Sequence, residues 1–346
     1  MTNSNSTIEL STANIVESVL SCIDRDREKE IISRRFGLFE RRETLEQIGE
    51  MLGITRERVR QLEKSVITKL RNLAVQNKIE NLADFEKNVT DYLNENGKAA
   101  RISNLANYLS TNPKREEQSQ IAFLCQLCPN LTVITEDDHF YYSVAIKSVY
   151  DIQKLVKKVT SVIDAIKKIG EPQTIDLVAK EAKISDPKET QALASLSKQL
   201  ATLNNRWGLV KWPMVNPKNI RDKIYVILKE NKKHMHFNEI AGAIKQSDFK
   251  RKDVTTQAIH NELIKDKRFV LIGRGIYALK EWGYEKGTVA DIITEVLREA
   301  NEPLHRDEIV KRVLKSRFVK ETTILLNLQG KPQFKRVAKA TYALSE

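Results

Sequence analysis

"TLEQIGEMLGITRERVRQLEKSV", Thr44 to Val66, decides how this chain is read. Leu45, Ile48, Met51 and Leu52 recur at helical spacing and give a first helix one apolar face. Thr44 stands where it can cap that helix, Gln47 three residues on completes a capping-box pattern, and Gly53 ends it. A second helix starts with Thr55 as N-cap and keeps its buried stripe on Val59, Leu62, Val66 and Leu70. Arg56, Glu57, Arg58, Arg60, Gln61 and Lys64 are left to face outward near its start. A helix that enters a DNA major groove by its N-terminal end needs this set. Arg reaches guanine O6 and N7, Gln pairs with adenine, Glu accepts from cytosine N4, and the remaining cations meet phosphates. The bland alternative is a generic helix-turn-helix whose arginines form a solvated face.

The 346 residues are enough for several small domains. Lys and Arg outnumber Asp and Glu by 58 to 46, and the isoelectric point near 9.4 favours a polyanionic partner. The charge is uneven: residues 25–78 carry 14 basic against 9 acidic groups, residues 79–150 carry 6 against 10, and residues 219–286 carry 15 against 9. An acidic module thus separates a basic head from a basic tail. The polar start "MTNSNSTIELSTAN" lacks the features of a signal peptide, and no apolar run is long enough to span a bilayer. These features predict a cytoplasmic, nucleoid-associated chain with no membrane partner.

Cys22, Cys125 and Cys128 are too few and too uneven for a disulfide framework, so reduced thiols are expected. "CQLC", Cys125 to Cys128, has the spacing of half a zinc site, but no second Cys or His pair follows at finger-like distance. Buried free cysteines on a helix are the better reading. His234 and His236 make a weak metal pair, and His236 aligns with His305 at what looks like a helix start. No glycine-rich phosphate loop, nucleophile elbow or spaced carboxylate pair is present. The expectation is therefore no catalytic residue, no cofactor and no metal: a binding protein and not an enzyme.

The stretch Arg27 to Arg71, "REKEIISRRFGLFERRETLEQIGEMLGITRERVRQLEKSVITKLR", resembles region 4 of the housekeeping bacterial sigma factors. That region binds the −35 promoter element and the flap of the RNA polymerase β subunit. The resemblance covers about the first fifth of the chain. It implies Arg56, Glu57 and Gln61 as base readers, with Thr44, Thr55, Arg58, Arg60 and Lys64 nearer phosphates. It also implies that Ile31, Ile32, Phe36 and Leu38 lie on the helix that packs on the reader and helps engage polymerase. Two departures stand out. Nothing before Glu28 is long enough for the aromatic-rich region with which sigma factors melt the −10 element, and the joining loop "LFERRE" is short and carries Arg41 and Arg42.

Behind this head the chain repeats. "RWGLVKW" (Arg206 to Trp212) and "IYALKEW" (Ile276 to Trp282) place an aromatic, a leucine and a tryptophan at identical spacing. "TYALSE" (Thr341 to Glu346) is a third copy, and "HFYYSV" (His139 to Val144) a weaker fourth. A short amphipathic helix precedes each, anchored on Leu105, Leu177, Ile240 and Ile309 at nearly even intervals along the chain. Phe140, Trp207, Tyr277 and Tyr342 follow these anchors at a similar separation each time. Each unit reads as three helices closed by a β-hairpin, which is a winged helix, and "GRG" supplies the tight turn in one of them.

The predicted fold is mainly α with small β-hairpin wings: an N-terminal helix-turn-helix followed by four tandem winged-helix domains. The segments are 1–24 (polar segment and helix), 25–78 (helix-turn-helix), 79–150 (acidic repeat), 151–218, 219–286 and 287–346. Residues 219–286 also resemble the HARE-type helix-turn-helix family, which includes the N-terminal domain of the RNA polymerase delta subunit.

In the third unit Lys250, Arg251, Lys252, Lys265, Lys267, Arg268 and Arg274 are candidate DNA contacts, and in the fourth Lys335, Arg336 and Lys339, against the plain reading of solubilising charge. The acidic first repeat is expected to pack on a neighbour, since like charge opposes approach to phosphates. Trp207, Trp212, Tyr277 and Trp282 read as core. With no flexible linker between repeats, packed neighbours are expected. Together these readings imply double-stranded DNA and RNA polymerase, through its β flap, as partners. Two rivals stay open: a polymerase-binding scaffold that competes with sigma, and a HARE-type sensor of modified or structured DNA. Oligomeric state is not legible.

Overall fold

Four apolar stripes between Thr12 and Val75 become four helices. The structure, a computed structural model, describes residues 11–249, 251, 253–284 and 286–345, so most of the polar start lies outside the described residues. Helix α1 spans Thr12–Ser21, α2 Asp26–Phe36, α3 Leu45–Leu52 and α4 Arg56–Val75. Helix α2 shows how local chemistry sets the bounds. Asp26 and Glu28 sit in its first turn and Arg34 and Arg35 in its last, each charge opposing the nearer end of the helix dipole. Gly37, at φ 65°, then turns the chain out in the left-handed conformation that favours glycine.

The chain divides into two units at Val210/Lys211. In the first, residues behind the head build two copies of one module. Module 1 holds α5 (Leu82–Glu95), β1 (Ala99–Arg101), α6 (Ile102–Leu109), α7 (Arg115–Leu127), β2 (Leu131–Ile134) and β3 (Ser143–Ile146). Module 2 holds α8 (Ile152–Ile169), β4 (Gln173–Thr174), α9 (Ile175–Ala182), α10 (Pro187–Leu196), β5 (Leu200–Leu203) and β6 (Arg206–Leu209). The second unit repeats the plan. Module 3 holds α11 (Ile220–Asn231), β7 (Met235–His236), α12 (Phe237–Gln246), α13 (Thr256–Lys265), β8 (Phe269–Gly273) and β9 (Ile276–Leu279). Module 4 holds α14 (Val289–Ala300), β10 (Leu304–His305), α15 (Arg306–Ser316), α16 (Glu321–Gly330), β11 (Phe334–Ala338) and β12 (Thr341–Leu344). The fold is mainly helical with small antiparallel sheets, as the sequence predicts.

Each sheet has a third strand that the two-strand reading lacks. A two- or three-residue strand leads into the second helix of every module and pairs with the last strand, giving orders β1-β3-β2, β4-β6-β5, β7-β9-β8 and β10-β12-β11. The register corrects two repeat assignments. Tyr277, Tyr342 and Trp207 face Met235, Leu304 and Gln173, each the residue before the cap of the second helix. The equivalent partner of Ala100 is Val144, not Phe140. Phe140 instead bridges to Ser197 of module 2. In module 2 the buried anchor is Val178, while Leu177 is 46% exposed.

Tyr277 and Trp207 are buried, whereas Trp212 and Trp282 are only partly covered. His236 and His305 share the expected place: each caps the second helix of its module through Nδ1, which accepts from the backbone N–H of Asn238 and Asp307 respectively. Cys125 and Cys128 are buried free thiols, and burial pushes both pKa values up.

The acidic module 1 packs on the head through α7. Ile121, Ala122, Phe123, Leu124, Cys125 and Leu127 are buried, and they share one core with Ile15, Val16, Val19, Ile32, Phe36, Leu38 and Leu70 of the head. Phe36 and Phe123 meet at 4.9 Å between ring centroids. Gln120, the buried polar residue of α7, is satisfied at both ends: Oε1 accepts from Thr12 Oγ1 at 3.1 Å and Nε2 donates to Leu38 O at 2.8 Å.

In the second unit the segment after α15 covers the open edge of β8: Phe318 N–H donates to Ile272 O at 3.2 Å, and the Phe318 ring lies 4.3 Å from His234. Because α7 belongs to two folding modules at once, Phe123→Ala is expected to cost about 3–5 kcal/mol. Hydrogen exchange should show α2 and α6 losing protection together; loss confined to module 1 would refute the shared core.

Candidate nucleic-acid interface

The helix-turn-helix is held by short-range chemistry. Thr44 Oγ1 accepts from Gln47 N–H at 3.2 Å while Gln47 Oε1 accepts from Thr44 N–H at 2.9 Å, a complete capping box on α3. Gly53 closes α3 at φ 63°, and Ile54 N–H returns to Gly49 O at 2.9 Å. Thr55 Oγ1 accepts from Arg58 N–H at 3.2 Å and so fixes the first turn of α4. The two helices approach closely because residue 49 has no side chain: a Cβ there would stand 2.7 Å from Ile54 O. Arg27 of α2 donates to Leu52 O at 2.7 Å, tying a third helix to the turn. Ile31, Ile48 and Val59 form the small core beneath, sealed by Leu45, Leu52, Ile54 and Leu62.

This scaffold leaves the start of α4 open to solvent. Arg56, Glu57, Arg58, Arg60, Gln61 and Lys64 are all exposed, as are Thr44, Glu46 and the cap Thr55. At about 100° per residue, Arg56, Glu57, Arg60, Gln61 and Lys64 fall within one arc, and Arg58 stands beside it. In the unbound chain most of these groups are already paired. Glu57 accepts two bonds from Arg60, at 2.7 and 2.8 Å, and Arg60 beside it holds the Glu57 carboxyl below its usual range. Arg58 donates to Gln61 Oε1 at 3.3 Å, and Arg56 lies 3.7 Å from Glu46. These exposed pairs are weak in water and exchange readily for stronger acceptors. Placing Arg60 against Glu57 sets it on the same face as Gln61, a proximity that residue order alone does not reveal.

The four apolar residues expected to engage a protein partner are not available for it. Ile31 is buried in the small core, and Ile32, Phe36 and Leu38 are buried in the core shared with α7. Their surface is satisfied within the chain. The signal for this is the unbroken apolar run Ile121 to Cys125: a helix buried on all sides needs cover from more than its own module.

In the second unit Arg251, Arg274, Lys335 and Arg336 are exposed; Lys250 and Lys252 lie outside the described residues. Arg274 occupies the β8–β9 turn with Gly275 at φ 70°, and Arg336 Nε donates to Ala338 O at 3.2 Å. Arg268 is not free for a ligand. It bonds Asp266 at 2.8 Å and Asp222 at 3.2 Å, its guanidinium lies 5.2 Å from the Tyr225 and 5.7 Å from the Phe269 ring centroid, and its pKa is raised first by the Asp266 bond. Among the described residues no helix is long and apolar enough to cross a membrane.

Comparison with known proteins agrees with this geometry. Residues 25–72 match the family "Sigma-70, region 4", and the head is a sigma-70 region 4 domain. The chain is 54% identical over 59 residues to the RNA polymerase sigma factor RpoD of Helicobacter pylori strain 26695, which is 16% of this chain and 9% of that protein. It is 55% identical over 47 residues to the RNA polymerase sigma factor sigB of Arabidopsis thaliana, covering 13% of this chain and 8% of that protein. The matched part thus spans less than a tenth of either relative's length. The head is accordingly a DNA-binding helix-turn-helix of the kind found in RNA polymerase sigma factors.

The close approach at residue 49 is testable. Gly49→Ala is expected to destabilise the head by about 1–3 kcal/mol, since backbone and not a flexible side chain opposes the new Cβ. Gly242→Ala, on a helix with open space at that Cβ, serves as the control and should leave the melting temperature unchanged or raised.

Proposed function

With a sigma-70 region 4 domain at its head as premise, we propose that this protein is a DNA-binding transcription regulator. The observation that carries the reading is the exposed arc at the start of α4, pinned by the Thr55 cap and filled with Arg, Glu and Gln. Arg56, Glu57 and Gln61 read base edges; Arg58, Arg60 and Lys64 meet phosphates, with the Thr44 and Thr55 hydroxyls as further donors. On binding, Glu57 exchanges Arg60 for a base amino group and Arg58 releases Gln61. Recognition therefore begins by breaking weak exposed pairs rather than by building a new surface. Arg251, Arg274, Lys335 and Arg336 add non-specific phosphate contacts, and several modest contacts on one chain gain from effective concentration.

We further propose association with bacterial RNA polymerase at initiation in the cytoplasm. The similarity of the head to RNA polymerase sigma factors supports it. Because Ile31, Ile32, Phe36 and Leu38 are covered within the chain, that association uses other surfaces of the head or the modules. The protein is proposed to act by binding and not by catalysis.

Arg56→Ala and Gln61→Ala should each cost about 1–3 kcal/mol on a selected duplex and relax base preference at one position. Lys64→Ala should weaken selected and random DNA alike and lower the salt slope by about one. Fluorescence anisotropy on both duplexes at several salt concentrations separates these outcomes; equal losses on both duplexes for all three variants would remove the base-reading assignment. For polymerase, the tagged full chain should retain its subunits after nuclease digestion. Deleting the head is a poor control because it strips the cover from α7, so the comparison is with an unrelated tagged DNA-binding protein. Equal retention by both would defeat the polymerase reading.

A further inference from the structure

The junction of modules 1 and 2 encloses a cleft of about 430 Å³ that the DNA-reading head does not use. Its volume lies in the range of small-molecule sites. The composition of its wall sets it apart. Arg101 and Lys188 line it, with the side-chain amides of Asn104 and Gln191 and the rings of Tyr92 and Trp207, and no carboxylate lines it at all. That is unexpected in module 1, whose segment carries 10 acidic groups against 6 basic.

Arg101 is the informative member. It is half-buried at the N-terminus of α6, its Nε donates to Ser195 O of module 2, and its guanidinium lies 3.7 Å from the Tyr141 ring centroid. Among the described residues it makes no ion pair. Burial lowers its pKa, and no carboxylate acts on it in the opposite direction. A partly desolvated cation without a counter-ion is costly to keep and gains from an anion brought by a ligand. Lys188, Asn104 and Gln191 likewise have side chains with no hydrogen-bond partner among the described residues.

Tyr92 is steadied by Tyr108, with ring centroids 4.5 Å apart, and Trp207 is held in the sheet opposite Gln173 and Thr202. The cleft therefore offers two cations, two free amides and rigid aromatic surface. An inorganic anion would leave the amides and rings unused, whereas a planar heterocycle with hydrogen-bonding edges matches amides and rings alike.

We propose that this cleft binds a nucleotide, with its phosphate toward Arg101 and Lys188 and its base among the amides and Tyr92. The nucleotide is either free or presented by a nucleic-acid strand. Binding couples the two modules, because Arg101, Asn104 and Tyr92 come from module 1 whereas Lys188, Gln191 and Trp207 come from module 2.

The test uses calorimetric titration of the full chain with adenosine 5′-monophosphate, adenosine, inorganic phosphate and a short single-stranded oligonucleotide. The monophosphate should bind saturably, and more tightly than adenosine or phosphate. Lys188→Ala and Asn104→Ala, both exposed and outside the cores, should each weaken it by about tenfold, the loss of one charge-assisted or well-placed hydrogen bond, at unchanged melting temperature. Strand and free nucleotide are separated by competition. If the oligonucleotide displaces the monophosphate and both depend on Lys188, the strand is a source; if it does not displace it, the free nucleotide is. No saturable binding of the monophosphate at millimolar concentration overturns the proposal. So does binding of phosphate as tight as that of the nucleotide, or affinity unchanged in both variants. None of these outcomes touches Arg56 or Gln61, so the cleft and the head fail or stand separately.

Discussion

The burial of the C-terminal half of α7, from Gln120 to Leu127, is the constraint on which the first unit depends. A winged-helix module covers one stripe of its third helix with its own first two helices and leaves the other to the outside. In module 1 that outer stripe is apolar, and Phe123 meets Phe36 of the head across it. The buried amide of Gln120 then fixes the register, since it must reach Thr12 and the Leu38 carbonyl together. Hydrophobic area supplies the attraction, and one satisfied polar group makes the docking specific. A consequence for function follows directly. The face of α2 that would otherwise remain apolar and open is closed within the chain, while α4 stays open at its start.

Exposure at the start of α4 carries its own electrostatic logic. Seven charged or amide side chains crowd into the two and a half turns from Arg56 to Lys64, and three of them are arginines. Repulsion among them is relieved by Glu57, Glu46 and Gln61, which pair with Arg60, Arg56 and Arg58. Each of these partners is exposed and therefore weakly bound. The unbound surface is thus kept soluble and ordered without being locked, a condition that suits a reader whose ligand carries a denser negative charge than any carboxylate on the protein.

The head is legible in sequence because its determinants are local. Thr44, Gln47, Gly53 and Thr55 act within three or four residues of themselves, so their spacing alone gives the turn, the caps and the exposed arc. The repeats are legible as a period but not in register. The extra strands β4, β7 and β10 are two residues long and pair with strands distant in the chain, as Gln173 does with Trp207. No period-2 pattern can show in so short a run. Phe140 misleads for a related reason: an aromatic near a strand reads as the strand's inward residue, yet the longer loop in module 1 carries it onto Ser197. Which surfaces dock is the least legible property, since an apolar residue in sequence does not say whose core it joins. The resemblance implies that Ile32 and Phe36 help engage polymerase, yet they are covered by α7. Arg101 has no sequence signal, because a lone arginine in an acidic segment looks paired until the structure shows that no carboxylate pairs with it.

The third helices of the four modules divide by what lies on their outer faces. Helix α7 is covered by the head, and α10 packs on β1, where the approach is close enough that a Cβ at Gly97 would overlap Lys188 O. Buried residues on α10 include Thr190, Ala192, Leu193, Ala194 and Leu196. By contrast α13 and α16 bury only Ile259 with Leu263 and Ile324 with Leu328, the stripe that faces their own modules. One structural plan therefore serves two ends. In the first unit the third helix joins module to module, which fixes the position of the helix-turn-helix head. In the second unit it remains outward, polar on α13 with Gln257, Asn261 and Lys265, and without a single cation on α16. Lacking positive charge, α16 is poorly suited to phosphates, whereas β11 of the same module presents the exposed cations Lys335 and Arg336.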